Sequence, residues 1–270
     1  MDRAERLAFA KAYPFARPPF SFVLAGDRAL ELMRPLPKRL ADAAVRARGV
    51  VVRLADYCRR EGLDAPVPFS ERTAVIAYGS NAAPERLRQK FGPRELIPVL
   101  RATLAQFDVV FAPHFARYGS IPATLEPSPG TRVEVFITYL TASQLETMDA
   151  SEVAAVQSHY ARGLLRGIGL DLEADGRLDQ AEVYAAKRGA LRLDGAARAF
   201  ATIGARARRL RAYTQEEMLD LVRRSLAPEA ALDDFLDGTI GDERRRAHWN
   251  ELLRTQAANR ALPGFEVRAG

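Results

Sequence analysis

The sequence predicts an α+β protein, with a mixed, β-rich middle and helical extensions at both ends. Three observations lead there. Between residues 71 and 195, short apolar and β-branched runs alternate with turn residues, as in TAVIAY, RVEVFITYL and QAEVYAAK. Beyond that stretch the apolar residues fall at helical intervals, as in TQEEMLDLVRRSL. A chain of 270 residues with 48% hydrophobic and 27% charged content also has the balance of a globular protein able to bury a sizeable core.

The elements follow from local chemistry in order. Residues 1–70 read as an N-terminal extension of helix and loop: the prolines of FARPPF interrupt regular structure, and residues 38–61 mix apolar and charged side chains at spacings that suit a helix. LDAPVPFSERT then serves as a linker into the core, residues 71–195. TAVIAY, short, apolar and closed by Gly79, is a buried strand. APERLRQKF is a helix whose Pro84 lies in the first turn, where its missing N–H is no loss. LAQFDVVFA, PATLEP, RVEVFITYL, ARGLLRGIGLDL and QAEVYAAK supply further strands, with Pro127-Ser128-Pro129-Gly130 as a separating turn. TASQLETMDASEV breaks the series with a helix, Leu145 and Met148 on one face and Thr141 or Ser143 as its cap. Residues 196–270 form a helical C-terminal extension, in which Thr214 and Glu217 have the spacing of a capping box and DERRRAHWNELLRTQAANR makes another helix.

Composition narrows the function classes. No apolar run approaches the roughly 18 residues that a membrane-spanning helix needs, so no membrane partner is expected. The opening MDRAERLAFAKAY puts charges where a secretory signal has its apolar region, which favours a cytoplasmic protein. The single cysteine, Cys58, cannot form an internal disulfide. The three histidines, His114, His159 and His248, are too scattered for a local metal motif, so no structural metal is expected. A net charge of +6 is spread among acidic residues, and the dense run Arg244-Arg245-Arg246 reads as a solvated helical face, so nucleic acid is not the expected partner.

The chemistry centres on Tyr78-Gly79-Ser80-Asn81. A strand ending in this loop before a helix gathers free backbone N–H groups at one point, and such donors hold a carboxylate or a developing oxyanion. Tyr78 either shapes the pocket wall or packs as a strand-end aromatic. The same three letters recur at Tyr118-Gly119-Ser120, where Gly119 serves turn geometry and Ser120 needs no chemical role. Neither serine lies in a G-x-S-x-G elbow, which argues against a serine hydrolase.

Residues 74–187 resemble the γ-glutamylcyclotransferase family, also described as AIG2-like, in successive places: the AYGSN loop, the strand LAQFDVVFA, the run YGSIPATLEPSPGTRVEV, the helix TASQLETMDASE, and Tyr160 with the strand ending VYAA. Met148-Asp149-Ala150-Ser151-Glu152 occupies the positions of the family's Leu-Asp-x-x-Glu. The resemblance implies a barrel-like mixed sheet with packed helices and a small γ-glutamyl-type ligand. It also implies a cofactor-free reaction in which the ligand's own α-amine attacks its γ-carbonyl and releases 5-oxoproline. It makes Glu152 the general acid and base, and Tyr78, Gly79, Ser80, Asn81 and Ala82 the substrate-binding loop. The chain carries Ala82 and Val153 where the family usually has leucine and glycine, and Glu134 where a small residue is common. A noncatalytic binding protein on the same fold is the alternative reading.

Overall fold

The computed structural model describes residues 1–153, 159–173, 176–258 and 260–268. The principal strands are β1 (Phe22–Ala25), β2 (Arg28–Leu32), β3 (Ala44–Ala47), β4 (Val50–Arg53), β5 (Thr73–Ala77), β6 (Leu96–Phe111), β7 (Ala123–Leu140), β8 (Tyr160–Leu172) and β9 (Arg177–Ala186). The helices are α1 (Arg3–Lys11), α2 (Leu54–Glu61), α3 (Pro84–Phe91), α4 (Ala142–Glu152), α5 (Gln215–Leu226), α6 (Leu232–Gly241) and α7 (Glu243–Thr255). Strands β7, β5, β9, β8 and β6 are neighbours in that order, and β6 also pairs with β7, so they close into a barrel. The expected α+β class with a barrel-like mixed sheet is what the chain adopts.

The described residues group into two compact units. One comprises Met1–Phe15, Gln106–Val133 and Ala185–Pro263, the other Ala16–Ala105, Glu134–Tyr184 and Gly264–Gly270.

In the unit that holds residues 16–105, β5 is antiparallel to β7, with Val75 opposite Thr138, and parallel to β9, with Ile76 opposite Val183. Val75, Ile76 and Ala77 are buried, as expected for a strand covered on both faces. The ribbon β1 to β4 joins the barrel through β1 and β6, Phe22 opposite Val99. Two apolar clusters fill this unit. One packs Leu30, Val45, Leu54, Tyr57 and Cys58; the other packs Phe22, Val75, Ala82, Leu87, Phe136, Met148 and Tyr184. The second cluster includes α3 and α4 residues, and thereby fixes both helices beside β5.

The helix expected over 38–61 is a correction. Ala47 pairs with Val50 across a two-residue turn; Leu40–Asp42 makes one 3-10 turn, and the α-helix is confined to Leu54–Glu61. The turn residues Arg48 and Gly49 both have positive φ, +50° and +82°, the geometry of a hairpin turn whose twist matches its strands. The β-branched Val50-Val51-Val52 favours extended backbone over helix at that point.

The other unit carries α1, α5, α6 and α7. Salt bridges tie α1 to its neighbours: Arg3 and Arg6 reach Asp237, and Lys11 reaches Glu216 and Asp233. Asp108, fully buried, receives Arg208 Nε at 2.9 Å and Nη2 at 3.0 Å, which leaves no buried carboxylate unpaired there. Thr214 caps α5 in the expected capping box with Glu217. Between residues 195 and 214 the chain runs in short strands rather than helix, among them Ala199–Phe200, and Phe200 stacks on Phe111 at 3.7 Å between ring centroids. The Pro127–Gly130 stretch, read as a turn, lies inside β7; Gly130 has φ +85° and its N–H donates to Gln106 Oε1 at 2.9 Å. A glycine there absorbs an irregularity in a strand that otherwise continues. Among the described residues, no helix is long and apolar enough to cross a membrane.

Candidate functional site

The first YGS copy follows β5 directly. Tyr78 is buried, and its hydroxyl donates to the carbonyl oxygen of Tyr184 on β9. Tyr78 is thus a packed ring whose hydroxyl is engaged by β9. Gly79 has φ −109°, so its left-handed freedom is not used. The chain then makes one tight turn, Ser80–Ala82, before α3 begins at Pro84. That turn engages the N–H groups of Ala82 and Ala83, which donate to Gly79 O at 3.2 Å and Ser80 O at 3.0 Å. The N–H groups of Gly79, Ser80 and Asn81 are not consumed by it. Thr138 on β7 donates its hydroxyl to Asn81 O at 3.3 Å, anchoring the turn to the barrel.

The second copy has a different setting. Ser120 is fully buried and donates to Ala10 O at 2.6 Å, while Gly119 has φ +84°. A Cβ there would lie 2.8 Å from Ile240 Cγ1. Ser120 is a structural hydroxyl and Gly119 a geometric necessity.

Glu152 is the last residue of α4, whose cap is Thr141 with Gln144 as the reciprocal partner. The helix carries Glu152 to the loop: Asn81 Nδ2 donates to Glu152 Oε1 at 3.2 Å, though 71 residues separate them. Lys90, from α3, completes the group. Its ammonium pairs with Glu152 Oε1, donates to Asn81 Oδ1 at 2.7 Å and lies 3.4 Å from Met148 Sδ. The Lys90 and Glu152 side chains are 13% and 19% exposed, so the pair is largely desolvated yet not sealed from water. Asn81 thus bridges the two charges, its oxygen toward the cation and its nitrogen toward the anion. By contrast Glu146, about one and two-thirds turns earlier on α4, is exposed.

A second polar chain runs alongside. Tyr184 donates its hydroxyl to Asp149 Oδ1 at 2.7 Å, and Arg162 Nε reaches the same oxygen at 2.9 Å. Arg162 also pairs with Glu182 Oε2 at 2.5 Å. Burial, reinforced by the hydrogen bond to Asp149, pushes the Tyr184 phenol far above its ordinary value, which keeps it protonated as the donor to Asp149. Tyr184 is therefore both packing residue and polar contact.

The departures from the family pattern have local explanations. Val153 has φ −122°, open to any L residue, and packs against the apolar cluster beneath α4, so the backbone after Glu152 does not call for glycine. Ala82 is fully buried. Glu134 is matched by Arg101 at 2.5 Å, which also reaches Glu173 at 3.3 Å. Cys58 is buried, and burial pushes its thiol up to about 11, the mark of an inert core cysteine. Among the described residues, no group of three or more His, Cys, Asp or Glu is arranged to hold a metal ion.

Sequence reasoning missed Lys90 and Asp149 as members of this neighbourhood. Lys90 sits in APERLRQKF as one basic residue among several, and nothing local marks it; its partner lies 62 residues away. Asp149 was legible only as part of the Leu-Asp-x-x-Glu pattern.

No family model matches the chain, and no curated protein matches it in sequence. Among solved structures, a γ-glutamyl cyclotransferase is 21% identical with a TM-score of 0.34, over 43% of this chain and 68% of that one. An Arabidopsis thaliana protein known from a solution structure is 20% identical with a TM-score of 0.36, over 58% of this chain and 87% of its own. An uncharacterized human protein is 15% identical with a TM-score of 0.36, over 71% and 92% respectively. What the site does is read from its own residues.

Proposed function

We propose that the chain is a γ-glutamylcyclotransferase-type enzyme. It would convert a γ-glutamyl amine or γ-glutamyl amino acid to 5-oxoproline and a free amine, in the cytoplasm and without a cofactor. The observation that carries this reading is the meeting of Glu152 with Asn81 of the YGSN loop, because base and anion-binding loop must face one substrate.

In this reaction Glu152 takes a proton from the substrate's α-ammonium, freeing the nitrogen lone pair to attack the γ-carbonyl carbon. The carbonyl oxygen becomes an oxyanion, for which the N–H groups of Gly79, Ser80 and Asn81 are the donors at hand. The tetrahedral centre collapses as the amide C–N bond breaks. Two protons pass in all from the attacking to the leaving nitrogen, which departs as an ammonium, and Glu152 ends as the carboxylate it began as. Holding amine and carbonyl in one geometry lowers the barrier by about 7 kcal/mol in well-oriented intramolecular systems, so a single base suffices.

A second reading is favoured by one observation, the internal pairing of Glu152 with Lys90, which resembles a structural ion pair. In that case the protein binds γ-glutamyl compounds and leaves them intact. The two readings separate on purified protein given a panel of γ-glutamyl amines and amino acids. The enzyme releases 5-oxoproline, Glu152→Gln abolishes release, and Glu146→Gln does not. Binding without release establishes the second reading.

A further inference from the structure

We infer that Arg162 and Arg268 are positioning residues for the proposed reaction. Acting through Asp149 and Glu182, they fasten the last turn of α4, which carries Glu152, to the sheet. The inference rests on the cyclotransferase reading only for the rate it governs; the fastening itself rests on contacts that hold whatever the ligand.

The last carbonyl groups of a helix have no partner within it, so a helix end is loosely held unless side chains tie it down. Glu152 ends α4, and its carboxylate is placed only as well as that turn is held. Asp149, three residues earlier and on nearly the same side of the helix, is the point of attachment. Its Oδ1 accepts from the Tyr184 hydroxyl of β9 at 2.7 Å and meets Arg162 Nε of β8 at 2.9 Å. Its main-chain oxygen accepts from the N–H of Val153 at 2.8 Å, which closes the turn around Glu152. Arg162 is fixed in its turn. Its Nη1 donates to Glu182 Oε2 at 2.5 Å, and Arg268 Nε lies 3.3 Å from Oε1 of the same carboxylate. At 10% exposure Glu182 has little water, and the two guanidinium groups take its place. Glu182 precedes Tyr184 by two residues on β9, which puts both side chains on one face of that strand.

Arg268 comes from outside the stretch that resembles the family, on a strand closely fitted to its neighbour. Phe265–Val267 pairs antiparallel with β8, Val267 opposite Gly163, and the N–H of Arg268 donates to Arg162 O at 3.0 Å. A Cβ at Gly163 would lie 2.6 Å from Glu266 O, so the strands approach this closely only because that residue is glycine. Arg268 therefore holds Arg162 twice, through the main chain and by way of Glu182. From Arg268 to Asp149 two cations alternate with two anions, and the set is neutral. Arg162 spans two carboxylates with Nε on one and Nη1 on the other, a fork that the single ammonium of lysine does not reproduce.

The test pairs two measurements on the full chain: 5-oxoproline release from the γ-glutamyl panel, and backbone order parameters from nitrogen-15 relaxation, which report the folded state alone. Arg162→Met should lower kcat about 10–100-fold while KM changes less than about threefold, since a misaimed base slows the chemical step and leaves the ligand's contacts in place. In the same variant the order parameters of residues 149–153 should fall from about 0.85 to below about 0.7, with β5 unchanged. Arg268→Met alters a half-exposed side chain and should show the same pattern with kcat lowered about threefold. Arg268→Lys should restore most of it, because one ammonium still reaches Glu182. Order parameters unchanged at 149–153 in both Met variants overturn the inference, and so does an equal fall in β5 or a raised KM with kcat intact. If Arg162→Met does not fold, Arg268→Met and its lysine rescue decide. No release by the unaltered protein removes the cyclotransferase reading, and the order parameters then decide the fastening alone. Release with full kcat and unchanged order in the variants keeps that reading and removes the fastening.

Discussion

Breaking the ion pair between α3 and α4 should destabilise the protein by an amount its burial sets. A pair on an open surface contributes about 0–1 kcal/mol, whereas removing one partner of a fully buried pair costs about 3–5 kcal/mol. Lys90 and Glu152, 13% and 19% exposed, fall between those limits, so Lys90→Met and Glu152→Gln should each cost about 1–3 kcal/mol. The double variant strands no charge and should cost less than the sum of the two by about 1–2 kcal/mol. Equilibrium urea unfolding of the four proteins closes the cycle. Repeating it in about 0.5 M salt should leave most of the coupling in place, because screening acts mainly on exposed charges. Costs that add to within about 0.5 kcal/mol would show that the two charges do not depend on each other, and the reasoning about the site would fail.

At the second YGS copy, Gly119→Ala should cost about 2–4 kcal/mol, combining a left-handed backbone penalty with the contact its Cβ would make 2.8 Å from Ile240 Cγ1. In an Ile240→Ala background the same change should cost only the backbone part, about 1–2 kcal/mol by urea unfolding; a loss below about 0.5 kcal/mol in the unaltered background would disprove the close approach. Burial raises the Cys58 thiol from 9.0 to about 11. The associated stability is fully present below pH 9 and is lost as pH rises through about 11, an effect of about 2–3 kcal/mol that Cys58→Ala should lack. Unfolding midpoints measured across that window decide it, and an identical decline in both proteins would refute the assignment.

The readable parts of the chain were those governed by neighbours in sequence. The apolar run Thr73–Ala77 and the caps at Thr141 and Thr214 depend on residues within a few positions, and each appears where local chemistry puts it. Residues 38–61 misled because alanine, leucine and arginine recur there at helical spacing, while the deciding feature is the Arg48-Gly49 turn followed by three valines. In the same way Pro127 and Gly130 look like a turn but are absorbed by a strand whose register is held by the rest of the barrel. Motif order singles out Glu152 and Asn81 as candidates, but not the cation that touches both. Lys90 acquires its meaning only when α3 and α4 pack side by side, and no periodicity within APERLRQKF distinguishes it from a solvated lysine.

In the proposed reaction Glu152, beside Asn81 of the YGSN loop, moves the protons of an intramolecular aminolysis. It is tested most directly by measuring 5-oxoproline released from a γ-glutamyl panel by the unaltered protein, Glu152→Gln and Glu146→Gln. Release by the first and third and none by the second is expected. Equal release by all three, or equal loss in both variants, would contradict it.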